Sequence, residues 1–96
     1  MKTISDTKVK QASQVLKAIS DDRRLEMVKL IRSKKEMCQK DMLSNFDVDQ
    51  PTMSHHLTIL QKSGIIKYRK VGKFSYFYVD EDRLSSVLDL VDKIVK

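Results

Sequence analysis

Ninety-six residues with a formal charge of +6 suffice for one domain, here taken as 1–96, because domains run from about 50 to 250 residues. At 41% apolar and 33% charged, the chain is too apolar for disorder and ordinary for a globular protein. No apolar run approaches the roughly 20 residues that span a bilayer, Met1-Lys2-Thr3-Ile4 opens no leader, and the one cysteine, Cys38, has no partner for an internal disulfide.

These features place the chain in the cytoplasm, away from membranes. Two glycines and one proline leave little loop, and loops are where catalytic sites concentrate. The charge is uneven. Residues 62–79 carry five cations and no acid, 51–61 carry no formal charge, and 41–50 carry three acids. A one-signed block asks for an anionic partner, nucleic acid first and an anionic membrane surface second.

Helical spacing begins at about 6–19, where Val9, Ala12, Val15, Leu16 and Ile19 share a face. Ser20 reads as the N-cap of a second helix, with Asp21 and Asp22 in a first turn that favours acids. Its stripe is Leu25, Val28 and Ile31, widened by Met27 and Leu30. Lys34 and Lys35 suit its C-terminal end and solubility, or lie near bound nucleic acid. A short third helix over about 38–45 turns Met42 and Leu43 inward. Asp49 or Gln50 can cap a fourth helix, about 50–63, with Pro51 in its first turn and Gly64 at its end.

The pattern then becomes β-branched and aromatic. Ile65–Val71 and Phe74–Val79, joined by Gly72-Lys73, read as a hairpin over 65–79. Phe77 and Val79 are expected inside. A last helix, about 82–95, is capped by Asp80 or Asp82. It spreads Leu84, Val87, Leu88, Leu90, Val91, Ile94 and Val95 over an arc of about 160°. So wide an arc exceeds what one small core covers and predicts a second copy of the chain.

Two helices joined by a tight turn, then a basic hairpin, give a mainly α fold of five helices in the order α-α-α-α-β-β-α: a winged helix-turn-helix. In the fourth helix Met53, Leu57 and Leu60 cluster within about 60°. Opposite them lie His55, Thr58 and Lys62, with Ser54 and Thr52 on the flanks and Gln50 at the start. Hydroxyls, an amide and an imidazole can meet base edges or phosphates, and no acid is there to repel the backbone. Arg69, Lys70 and Lys73, with Lys67, would carry the wing to neighbouring phosphates.

At these residues the sequence resembles the ArsR/SmtB transcriptional repressors. Leu16-Lys17-Ala18-Ile19-Ser20-Asp21-Asp22-Arg23-Arg24-Leu25 is similar to the family's "L-K-x-L-S-D-x-x-R-L" string. Ser54-His55-His56-Leu57-Thr58-Ile59-Leu60 resembles its "S-x-H-L-x-x-L" recognition helix, and Arg69-Lys70-Val71-Gly72-Lys73 its wing. The resemblance implies a homodimer pairing the first and last helices, a double-stranded operator with inverted half-sites, and repression released by an effector.

The departures concern sensing. Many members hold thiophilic metals with a Glu-x-Cys-x-Cys-x-Asp stretch. Here Glu36-Met37-Cys38-Gln39-Lys40 keeps the first cysteine and places an ammonium at the second. Others bind zinc on the last helix, which here has Asp89 and Asp92 but no histidine. Redox members use two cysteines. The expectation is therefore a repressor with no metal site and no cofactor.

His55 and His56 point about 100° apart and cannot share one ion. His55 reads as a DNA contact and His56 as structural or phosphate-bonding. Cys38 reads as a small buried hydrophobe, with a redox or effector role as its alternative. Two rival functions stand beside the repressor: a metal- or thiol-stress-responsive repressor using Cys38, and a winged-helix module that docks protein. An enzyme is not expected, since no nucleophile–base set or phosphate-cradling glycine loop occurs.

Overall fold

The computed structural model describes residues 7–87. The side chain of Val9, and residues 88–96 with Leu88, Asp89, Leu90, Val91, Asp92, Ile94 and Val95, lie outside the described residues. The elements are α1 (Thr7–Ile19), α2 (Asp22–Lys34), β1 (Met37–Cys38), α3 (Gln39–Asn45), α4 (Gln50–Ser63), β2 (Ile66–Val71) and β3 (Phe74–Val79), followed by helix α5 over 81–87. The winged helix-turn-helix order holds, with one strand added. β1 pairs antiparallel with β3, Met37 opposite Phe77 and Cys38 opposite Tyr76, so the sheet runs β1-β3-β2. Two residues are too few to show the alternation that betrays a strand.

Helix starts follow their capping chemistry. Asp21, not Ser20, caps α2: its carboxylate accepts the Arg24 N–H at 3.0 Å. The Ser20 hydroxyl turns back onto the Lys17 carbonyl at 2.8 Å. A charged acceptor at the dipole's positive end is the stronger partner. Asp49 caps α4 through the Thr52 N–H at 2.8 Å, and Asp80 caps α5 through the Arg83 N–H at 3.2 Å.

The core gathers a row from each element. Met27, Ile31, Met42, Met53, Leu60, Ile65 and Ile66 are fully buried; removing each such side chain from water contributes about 1.5–3 kcal/mol. Phe77 and Val79 close it from the sheet, as expected. Val15 and Ala18 are the buried face of α1, while Ala12 and Leu16 lie exposed. Leu25, expected in the stripe of α2, is 39% exposed. Val28 and Ile31 are buried as expected, and Met27 takes the place of Leu25 beside them.

The joint between α4 and the wing is tight. Gly64 takes φ 84°, the left-handed region in which a Cβ is strained. The buried Ser63 hydroxyl donates to the Leu60 carbonyl at 2.7 Å and accepts the Ile65 N–H at 3.3 Å. Arg83 donates to the Ser63 carbonyl at 3.2 Å. The wing therefore leaves α4 in one fixed direction.

Candidate nucleic-acid interface

α4 is split by its own periodicity. Met53, Leu57 and Leu60 face the core, and Gln50, Thr52, His55, Thr58 and Lys62 lie exposed. Ser54 is half-buried between the two faces. Its hydroxyl oxygen accepts the Gln39 carboxamide at 2.7 Å. That bond ties the start of α3 to α4 and leaves the Ser54 proton free to donate. One turn on, the Thr58 hydroxyl donates to the Ser54 carbonyl at 2.8 Å, so outward it offers only lone pairs. The two hydroxyls thus present opposite chemistry, a donor and an acceptor, on neighbouring turns. Gln39 was missed in the sequence because a polar residue opening a short helix looks like any other.

His56 stands apart from His55. Arg24 reaches its Nδ1 at 3.1 Å and donates from Nε to the Ala18 carbonyl at 2.6 Å. An arginine only donates, so Nδ1 is the acceptor and the ring is neutral. Burial holds the His56 pKa below its ordinary value, against the pull of the Asp21 carboxylate. The structural reading of His56 is the one this geometry supports.

Lys70 and Lys73 stand exposed on the hairpin. Arg69 does not stand free. Its guanidinium crosses the sheet over the Tyr76 ring, 5.5 Å from the centroid, and grips Glu36 with two bonds of 2.9 and 2.6 Å. Glu36 is held below the ordinary carboxylate range by Arg69. Lys67 pairs with Asp80 at 3.2 Å. The wing's surplus charge is therefore concentrated in Lys70 and Lys73. These pairings join residues 33 and 13 apart, beyond any local pattern.

Cys38 is buried beside α3, with no side-chain cap hydrogen bond. Among the described residues, no group of three His, Cys, Asp or Glu side chains is placed to hold a metal ion, and no helix is long and apolar enough to cross a membrane.

The family description for bacterial regulatory proteins of the arsR family matches residues 21–68. An HTH-type transcriptional regulator of Methanocaldococcus jannaschii is 38% identical, over 91% of this chain and 98% of that one. The arsenical resistance operon repressor of Staphylococcus aureus is 34% identical, over 82% of this chain and 75% of that one. Among solved structures, a homodimeric winged helix-turn-helix DNA-binding domain from Mycobacterium bovis, a possible ArsR-family regulator, is similar at TM-score 0.77. It is 23% identical, over 99% of this chain and 90% of that one, a likeness of fold.

Proposed function

Because this chain belongs to the arsR family of bacterial regulatory proteins, we propose that it is a cytoplasmic, homodimeric repressor that reads a double-stranded operator with inverted half-sites. It is a transcriptional regulator with a winged helix-turn-helix, not an enzyme. One observation carries the finer reading. The exposed face of α4 is uncharged and rich in hydrogen-bonding groups up to Lys62, and it stands beside a wing without acids. Such a face reads bases, and such a wing grips phosphates.

In this reading α4 enters the major groove. Ser54 donates to a base acceptor, Thr58 accepts from a base donor, and Gln50, Thr52 and His55 reach base edges or the adjacent phosphates. Lys62, Lys70 and Lys73 neutralise the backbone, and Arg69 does so after leaving Glu36. The whole chain, 1–96, acts as one such domain.

Dimerisation goes through α1 and the last helix, for which the exposed Ala12 and Leu16 supply an apolar face. The M. bovis domain of similar fold is a homodimer. Metal sensing is not part of the proposal: Lys40 occupies the second thiolate position, and Cys38 is buried.

The test is selection of duplexes from a random pool, followed by footprinting. A recovered inverted repeat, protected by a dimer and lost on changing Ser54 and His55, supports the reading. A pool without enrichment overturns it.

A further inference from the structure

The turn of the wing carries a half-exposed apolar pair. Val71 and Phe74 are cross-strand partners flanking Gly72-Lys73, 46% and 45% exposed, and neither belongs to the core. Side chains of this size gain nothing from solvent at a hairpin tip. Two ammonium groups bracket them. Lys70 pairs with Ser75 one step down the ladder, and Lys73 holds its Nζ 5.8 Å from the centre of the Phe74 ring. Lys73 and Phe74 line one cleft with Gln50, so the tip stands next to the N-terminal end of α4.

We propose that Val71 and Phe74 form a wedge that enters the minor groove beside the major-groove site of α4 and partly unstacks one base step. This rests on the DNA-binding reading above. Many proteins that enter the minor groove combine Lys or Arg with an inserted apolar wedge, which kinks the duplex by about 20–90°. The wing tip has that composition. Lys70 and Lys73 meet the phosphates on either side, while the half-exposed Phe74 ring loses water contact on entering the apolar base stack. An anionic membrane surface is the rival occupant. It is disfavoured because the adjoining face of α4 is polar and the apolar area is only two side chains.

The consequence is a sequence preference at a position that α4 does not touch. Pyrimidine–purine steps unstack most readily, so the operator should carry one under the wing.

The experiment uses the full chain and the duplex recovered by selection, with 2-aminopurine placed at successive steps across the wing site. Wild type should raise the fluorescence at one step and bend the duplex in a permuted-site mobility assay. Phe74→Ser, an exposed position at which circular dichroism should be unchanged, should abolish both signals and weaken binding about three- to tenfold. Phe74→Leu should keep the bend. Wild type binding with neither signal, or Phe74→Ser bending the duplex equally, overturns the wedge alone. Failure of wild type to bind any duplex overturns the DNA-binding reading as well. Phe74-dependent binding to phosphatidylserine vesicles without unstacking of duplex would assign the tip to a membrane and overturn the wedge.

Discussion

Arg24 and His56, 32 residues apart, are joined at 3.1 Å, and the same guanidinium holds the last turn of α1 through the Ala18 carbonyl. One side chain thereby fastens the helix proposed for dimer contact to the helix proposed for reading DNA. The joint needs a neutral imidazole, because a protonated ring would set two donors face to face.

The stability of the fold should therefore fall on mild acidification. The His56 pKa is lowered in the folded state, first by burial. As pH falls through the ordinary histidine value, the unfolded chain takes up a proton that the native chain refuses. The contribution is present above about pH 6.5 and is lost as pH drops toward the lowered folded value. Thermal melts between about pH 7.5 and 5.5 should show a falling Tm. His56→Asn, which keeps an acceptor at the Nδ1 position and cannot titrate, should flatten that fall. An equal fall in both proteins would show that His56 is not its source.

Salt dependence should separate the wing's cations. Lys73→Ala should flatten the slope of log affinity against log salt by about 0.9. Arg69→Ala should flatten it less, because Glu36 already neutralises that guanidinium. Glu36→Gln should release Arg69 and tighten binding to operator and random DNA alike. If removing Lys73 and Arg69 changes the slope equally, the Glu36 pair does not persist in solution.

Leu16, 45% exposed on α1, should be covered by a second chain. Leu16→Glu should give monomers in sedimentation at micromolar concentration and lose operator binding. Wild type sedimenting as a monomer under those conditions would contradict the dimer. Val91→Glu tests the same seam from the last helix, outside the described residues.

Two positive-φ positions should respond in opposite directions. Gly64→Ala forces a Cβ at φ 84° to within 2.9 Å of the Arg83 guanidinium and should cost about 1–2 kcal/mol. Lys35 holds φ 73° at the end of α2. Lys35→Gly should relieve that strain and gain up to about 1 kcal/mol, read as a higher denaturation midpoint.

Zinc, cadmium and arsenite should each leave operator affinity unchanged within about twofold, below a coupling of 1–3 kcal/mol. A thiophilic ion wants two or three thiolates, and each chain has only Cys38. A metal-driven release that Cys38→Ser abolishes would show that a one-cysteine site works.

Legibility in the sequence followed the range of the interaction. The split of α4 into Met53, Leu57 and Leu60 against His55 and Thr58 is written at helical spacing, and Pro51 and Gly64 mark its ends. The order of the helices and the hairpin was readable for the same reason, and the two-residue β1 was not. The cap of α2 was read one residue early because Ser20 and Asp21 are both good caps, and only the geometry shows which carboxylate or hydroxyl meets the Arg24 N–H. Leu25 was misplaced because five apolar residues in the seven from Leu25 to Ile31 allow two stripes, and packing against α4 and the sheet chooses one. Glu36–Arg69, Gln39–Ser54 and Arg24–His56 were invisible, since each joins elements that only the fold brings together.

The two residues of β1 have a mechanical consequence. They clasp β3 from the side opposite β2, while Gln39, the next residue, grasps Ser54. The hairpin and α4, the helix proposed to enter the groove, are thereby tied to one another through a single short segment of chain. In the proposed dimer, a signal that loosens the protein from DNA would act by changing the spacing between two such units, as the jaws of a caliper lose their grip when the gap is wrong.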